Sequence, residues 1–519
     1  MKVSTILIIC ILLILFIIPG IDHGTWRPDE PRVAGICAEM ALSGDIVVPR
    51  LNGRPFLEKP PLYFIAGSFA GRLFGTDNDV PYRMVSLIFG ILTLWITFSI
   101  GSRNGTVPEG LMAAGILASS WQFFQMSRWI QIDSALVCFI AIAMFSFQRL
   151  LRDTRIADSF VFGLSIGLSF LVKGFVGPAM IAAAVMIESI RLKDILLVWR
   201  LRPAVVSATL LVPITAWTLS LYLQGGWPFV REVIVVNNVM RFLGLSQGAA
   251  LGHQHGILYY FDHFPRDILP WTFVFIPAFV SSIRNFRKDT YISWFMGPFI
   301  LLFLSSTKRG IYLVPLFPAA ACMTAAWLNR LPGMRWERVM LAITWTIAVI
   351  GSFLPFAGIF LGYPLVGSCA GIISAGCLIF FWRKRSLFPA GQSALVILMA
   401  MALFASATVY YQYMKPGEDY LGFTREALVQ ADGEDISIVY GDEMFEGLIP
   451  MLTGKHVATF EAAADTFRDG LYLWETSRRK LYDPFPEGSH IDIILERDIG
   501  SQRAVLARVF SGAGPESED

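Results

Sequence analysis

The chain has 519 residues and a formal net charge of +2, so no excess of positive charge speaks for nucleic-acid binding. Apolar residues make up 55% and charged residues only 16%. Soluble domains carry roughly 25% charge, which excludes a string of soluble domains over most of this length. Of the 40 acidic residues, 21 lie after Met414, so a long membrane part is expected to be followed by one small soluble domain. The expected division is 1–413 for the membrane domain and 414–519 for the soluble one.

In chain order, apolar runs of spanning length fall near 4–20, 84–101, 107–125, 131–149, 157–172, 174–190, 203–223, 268–283, 290–306, 310–328, 338–360, 364–382 and 391–413. A helix needs about 20 apolar residues to cross the hydrocarbon core, which gives about thirteen spans. The first run follows Lys2 but has no small-residue cleavage site after it, so it reads as a retained helix. The six cysteines show neither a disulfide framework nor a metal-ligand spacing.

Short basic loops set the orientation. The clusters are Arg149, Arg152 and Arg155; Arg191, Lys193, Arg200 and Arg202; Arg284, Arg287 and Lys288; Arg330, Arg335 and Arg338; and Arg383, Lys384 and Arg385. Thirteen crossings put all of them on one side, provided that 157–190 crosses twice with a break at Lys173-Gly174. With the clusters in the cytoplasm, the N-terminus is cytoplasmic. The segments 22–83, 126–131, 224–267 and 306–309 then face outward with the tail. The tail has strand-like runs at Ile436–Tyr440, Ile491–Leu495 and Val505–Phe510. Helix-compatible stretches at Glu443–Leu452 and Ala462–Arg468 complete a small α/β domain.

The outward segments gather charges that a membrane boundary disfavours unless they have a partner or a purpose. Asp29 and Glu30 precede Pro31 at the start of a helix-like stretch, which read blandly is a capped amphipathic helix on the membrane surface. Glu58 and Lys59 precede Pro60-Pro61, Asp133 opens a span, Lys173 sits at an outer turn, and Lys308 lies four residues before Tyr312. Each lysine alone reads equally well as an anchoring residue. Together they suggest a cavity of carboxylates and cations suited to a phosphate-bearing lipid with a reacting sugar or acyl group. The 224–267 loop adds Asn237, Asn238, Arg241, His253 and His255. An HxH spacing without a carboxylate is weak metal evidence.

The run from Asp29-Glu30-Pro31-Arg32 through Ser43-Gly44-Asp45, Pro49-Arg50-Leu51-Asn52-Gly53 and Glu58-Lys59-Pro60-Pro61-Leu62-Tyr63 resembles the N-terminal signature of aminoarabinose (4-amino-4-deoxy-L-arabinose) transferases. These are relatives of the protein O-mannosyltransferases in the GT-C class of glycosyltransferases. Further matches are Arg128-Trp129-Ile130-Gln131-Ile132-Asp133, Leu171-Val172-Lys173-Gly174, Arg241-Phe242, Gly252-His253-Gln254, Tyr259-Tyr260 and Lys308 with Tyr312 to Pro318. They cover roughly the first 330 residues. The family's GHxxP-like stretch here lacks its proline, and its Lys-x-Pro-x-Tyr stretch becomes Lys308-Arg309-Gly310-Ile311-Tyr312.

The resemblance implies a multi-pass protein of the bacterial cytoplasmic (inner) membrane, with its active site and C-terminal domain extracytoplasmic. It implies inverting transfer of a sugar from an undecaprenyl-phosphate (polyprenyl-phosphate) donor to lipid A or another envelope lipid, glycan or protein. Asp29 matches the catalytic acid, with Glu30 and Asp133 as neighbouring candidates. Lys59 and Tyr312 match donor-phosphate residues, to which Arg241, Lys308 and Lys173 are added as cations. Glu58 and His253 match positions associated with a bound divalent metal ion.

The chemistry is coherent from the residues alone. Breaking a bond between an anomeric carbon and a phosphate oxygen builds negative charge on the leaving phosphate, which cations in a partly dry site stabilise. A carboxylate can orient or deprotonate the acceptor. No nucleotide-binding fingerprint is present, so the donor is read as lipid-linked. The rival from another class is a transporter or flippase of lipid-linked sugars. Transporters gather their charges near the bilayer midplane and often carry inverted repeats. Here the charges gather at one face and no repeat is found.

Overall fold

The structure is a computed structural model. It describes residues 21–27, 29–240, 255–305, 307–331, 337–383, 410, 417–439, 442–460, 468–477, 484–486 and 488–510. The expected spans 4–20 and 391–413, the expected helix 462–468 and the site candidates Arg241 and His253 lie outside the described residues. Two compact units are present: one of 1–19, 57–63 and 86–410, the other of 20–56, 64–85 and 411–519.

The first unit is helical. Each apolar run from 84–101 to 364–382 coincides with helix in the structure. Among the described residues, six helices are long and apolar enough to cross a membrane: Val80–Asn104, Asp133–Leu150, Ile156–Lys173, Pro203–Met240, Gly310–Asn329 and Arg338–Phe360. Apolar helices such as Thr272–Arg284 and Ile292–Leu304 are shorter. The stretch 157–190 is broken where expected. Ile156–Lys173 ends at Gly174, which has φ +65°, and Val176–Leu192 follows. A Cβ on Gly174 would lie 1.8 Å from Asn238 Oδ1, so the turn needs glycine for its backbone and for its space. The start of the expected outer loop 224–267 is instead helical. Pro203–Val230 runs on past Gly226, whose φ of +65° breaks the regular spiral, into a π-helical segment Arg231–Met240. Asn237 and Asn238 each bond back to this segment, at Glu232 and Val233, and each also reaches another element, at Leu57 O and Phe175 N–H. Such π-helical segments are rare and frequent at functional sites.

The second unit holds a five-stranded mixed sheet of order β4-β3-β5-β7-β6, with β3 Ile436–Val439, β4 Ala458–Phe460, β5 Gly470–Ser477, β6 His490–Ile499 and β7 Gln502–Phe510. The β3–β4 and β3–β5 pairs are parallel, and β5–β7 and β6–β7 are antiparallel. One face is cored by Phe460, Tyr472, Trp474, Phe485 and Val505. The strands β4 and β5 were not anticipated.

The same unit contains the helix Asp29–Ser43, which is buried from Val33 through Ala41 rather than amphipathic. Its close partner is the helix Glu443–Thr453. A Cβ on Gly35 would lie 2.3 Å from Gly447 Cα, so the two backbones touch where both residues are glycine. This corrects the expectation of a surface helix: apolar residues on all sides suit a helix enclosed by protein. The Asn52-Gly53 pair makes a two-residue hairpin between β1 Arg50–Leu51 and β2 Arg54–Pro55, with both turn residues at positive φ. Asn52 donates to Val457 O at 2.9 Å and accepts from Val457 N–H at 2.8 Å. Glu39 accepts from Gly53 N–H at 3.0 Å and meets His456 Nε2 at 3.1 Å. The Pro-Arg-Leu-Asn-Gly motif is therefore a fastening for the C-terminal domain.

Candidate functional site

In the helical unit the structure brings Glu58, Lys59, Lys173 and Tyr312 to one cavity of about 330 Å³, with Asn237 and Asn238 also in its wall. Three helix ends and one loop supply them. Lys173 closes its helix at the Gly174 turn. Asp133 opens the helix Asp133–Leu150 and pairs with Lys173 Nζ at 2.5 Å, the Asp133 side chain being buried and that of Lys173 9% exposed. The Lys173 ammonium also lies 4.4 Å from the ring centre of Tyr312, which is carried by a 3₁₀ turn, Gly310–Leu316. Ammonium over an aromatic face is favourable, and more so when dry.

Hydrogen bonds hold this arrangement from behind. Tyr63 Oη meets Ser86 Oγ at 2.6 Å, Ser86 Oγ accepts from Gln131 N–H at 3.1 Å, and Gln131 Nε2 donates to Asp133 Oδ2 at 3.3 Å. The Glu-Lys-Pro-Pro-Leu-Tyr stretch is thereby tied to the Arg-Trp-Ile-Gln-Ile-Asp stretch. The asparagine pair adds two ties. Asn238 Oδ1 accepts from Phe175 N–H at 3.0 Å, fixing the turn after Lys173. Asn237 Nδ2 donates to Leu57 O at 3.3 Å, fixing the chain just before Glu58 and Lys59. Lys59 Nζ stands 4.0 Å from Glu58 Oε2, and both are partly exposed.

Other candidates are placed elsewhere. Lys308 is buried and its ammonium donates to Ser305 O, outside the cavity lining. Asp29 and Glu30 belong to the other unit. Glu30 is 1% exposed and is engaged by Arg83, whose Nε donates to Glu30 Oε1 at 2.9 Å. Arg83 also pairs with Asp79 at 2.8 Å and donates to His23 O at 2.7 Å, so Glu30 belongs to a buried structural knot. Asp29 is more open. Its Oδ1 accepts from Arg32 Nη2 at 2.8 Å, and Arg32 Nη1 reaches Glu443 Oε2 at 2.7 Å. Next to Glu443, burial and then the charge of Glu475 push the Asp442 carboxyl well above the usual range. Arg32, Glu443 and Asn237 were not singled out for roles from the sequence.

Among the described residues no group of three or more His, Cys, Asp or Glu could hold a metal ion. Glu58 is set against Lys59, and His253 lies outside the described residues.

A second cavity, of about 410 Å³, is walled by apolar residues such as Phe170, Leu210, Trp227 and Val230, with Thr218 the exception. Phe175 lines both cavities.

Comparison with solved structures decides the fold. The chain aligns over 99% of its length with all of ArnT from Cupriavidus metallidurans bound to undecaprenyl phosphate, with a TM-score of 0.78 at 17% identity. The two proteins share one fold. The apo form of the same ArnT gives a TM-score of 0.75. Residues 58–218, a stretch that includes Lys59, Asp133 and Lys173, match the family described as dolichyl-phosphate-mannose-protein mannosyltransferase. Among curated sequences, an uncharacterized protein of Aquifex aeolicus is 23% identical over 81% of this chain and 82% of its own length. An undecaprenyl phosphate-α-4-amino-4-deoxy-L-arabinose arabinosyl transferase of Pectobacterium atrosepticum is 25% identical over 70% of this chain. The chain spans 66% of that relative's length, just under two thirds. The likeness to aminoarabinose transferases read from the motifs therefore stands.

Proposed function

We propose that this protein is a membrane glycosyltransferase that takes a sugar from a polyprenyl-phosphate donor and transfers it, with inversion, to an envelope acceptor. The observation that carries the reading is the cavity where Lys59 and Lys173 converge beside Tyr312. Two ammonium groups suit a phosphate, and the apolar cavity sharing Phe175 suits the start of an isoprenoid chain. In the reaction the bond from the anomeric carbon to the phosphate oxygen breaks, and a bond from the acceptor oxygen to that carbon forms. The electron pair stays on the leaving polyprenyl phosphate, where the lysines offset its new charge. Asp29 is assigned to orient the acceptor, or to take its proton when the acceptor is a hydroxyl. Lipid A or another envelope lipid, glycan or protein is the proposed acceptor class. The test is mass spectrometry of envelope glycolipids and glycoproteins with and without the protein. A sugar-bearing species that vanishes on deletion and returns with the wild-type gene, but not with the Asp29→Asn gene, names sugar and acceptor; no changed species would reject the reading.

The donor site makes its own prediction. Pro60 and Pro61 stiffen the chain after Lys59, so its ammonium is held in place. Lys59→Ala is expected to weaken undecaprenyl phosphate binding by about tenfold or more, as fits a lost charged hydrogen bond, and Lys59→Arg by less. Equal affinity of Lys59→Ala and wild type in a direct titration would return Lys59 to an interfacial anchor.

We further assign about thirteen spans in a bacterial inner membrane, with a cytoplasmic N-terminus and an extracytoplasmic C-terminal domain. Single cysteines placed at Gly417 and at Arg385, in a background without reactive thiols, check this. Gly417→Cys should react with an impermeant thiol reagent in intact spheroplasts and Arg385→Cys should not; the opposite pattern overturns the orientation.

A further inference from the structure

We infer that Asn237 reads the donor's sugar, by accepting a hydrogen bond from one of its hydroxyl or ammonium groups. The inference rests on the donor reading of the cavity and extends it to the part of the donor that differs between substrates.

Asn237 is 8% exposed and stands in the cavity wall. Its two amide ends are unequal. Nδ2 faces three acceptors, Leu57 O at 3.3 Å, Glu232 O at 3.2 Å and Glu232 Oε1 at 3.3 Å. Turning the amide over would set its oxygen against those three oxygens, so the surroundings fix which end is oxygen. Oδ1 is then buried with no hydrogen-bond partner among the described residues. A buried acceptor without a donor is unfavourable, and native proteins keep few of them.

The missing partner must carry an N–H or O–H. A phosphate diester offers only acceptor oxygens, so the phosphate of the donor does not meet the need. The sugar next to it does, through hydroxyl or ammonium hydrogens. Asn238 gives the contrast within the same wall. Its Oδ1 is taken by Phe175 N–H and its Nδ2 by Val233 O at 2.6 Å, so both its ends serve the fold. Of the two neighbouring amides, one is spent on structure and the other keeps a buried oxygen without a partner among the described residues.

The experiment uses the purified full-length protein, wild type and Asn237→Ala. Each is titrated with undecaprenyl phosphate alone and with undecaprenyl phosphate linked to arabinose, to 4-amino-4-deoxy-L-arabinose and to mannose. The readout is the ratio of sugar-linked to bare affinity. Asn237→Ala should lose about five- to tenfold more affinity for at least one sugar-linked form than for bare undecaprenyl phosphate, the size of one neutral hydrogen bond. The bare ligand reports whether the variant's site is still folded. An equal loss for bare and sugar-linked ligands would mean that Asn237 acts only by holding Leu57, and would overturn the inference. An unchanged ratio for every sugar would mean that a water satisfies Oδ1, and would also overturn it. If wild type itself fails to bind undecaprenyl phosphate, the donor reading falls first.

Discussion

Lys173→Met is expected to abolish measurable undecaprenyl phosphate binding and to destabilise the protein, and the two losses separate in a double variant. Lys173 and Asp133 form a pair 2.5 Å apart with side chains 9% and 4% exposed. Removing one member of a buried pair leaves the other charge uncompensated, at a cost of about 3–5 kcal/mol. Asp133 keeps one neutral donor, Gln131 Nε2 at 3.3 Å, which falls short of replacing an ammonium. Lys173→Met should therefore lower the melting temperature by several degrees in detergent. The double variant Asp133→Asn with Lys173→Met removes both charges and should recover most of that stability. It should not recover donor binding, because the second cation of the cavity is still missing. Asp133→Asn alone tests what Asp133 does. As the counter-ion of Lys173, its loss should weaken donor binding through a misplaced lysine. As a catalytic base, its loss should leave donor affinity unchanged and stop turnover. Wild-type affinity in Lys173→Met would remove Lys173 from the donor site.

The sequence made the helical skeleton legible because apolar length and basic loops report on the bilayer directly. It also pointed to a larger group of charges, of which the structure brings Glu58, Lys59, Lys173 and Tyr312 to one cavity while Asp29, Glu30 and Lys308 are placed elsewhere. Three things were not legible. The stretch after Asp29 was open to a capped amphipathic helix on the membrane surface, because nothing in the sequence names the partners of Glu30 and Glu39. In the fold both are buried and engaged, by Arg83 and by Gly53 and His456. The Arg32–Glu443 bridge joins residues 411 positions apart, and Glu443 alone is indistinguishable from an ordinary acidic residue in a helix's first turn. Asn237 lay in a segment read as loop. The φ of +65° at Gly226 and the π-helical winding after it give the amide its direction, and an asparagine carries no pattern that announces this. The signals that failed were those in which one residue's role is set by a distant partner.

Asp29→Asn is expected to lower turnover by about 100-fold or more, the usual scale for losing a positioned acid or base, with donor affinity and melting temperature near wild type. The near-isosteric amide explains why the fold should survive. Its oxygen still accepts from Arg32 Nη2, now 2.8 Å away, and Arg32 keeps its second bond to Glu443. What is lost, on the proposed role of Asp29, is the charge that would favour a cationic sugar and the capacity to take a proton. Because Arg32 bonds both carboxylates, Glu443 is expected to bear on Asp29 through it. Glu443→Gln keeps an acceptor for Arg32 but removes the opposing charge, so a smaller loss of turnover, on the order of a few-fold, is expected, with donor affinity unchanged. Arg32→Met removes the link and should fall between the two. The ordering Asp29→Asn, Arg32→Met, Glu443→Gln, from most to least damaging in turnover, is the signature of a carboxylate held from the C-terminal domain. It is measured with purified variants under saturating donor. Near-normal turnover in Asp29→Asn would move the acid's role to another carboxylate and leave the Arg32–Glu443 bridge a structural fastening like that of Asn52 to Val457.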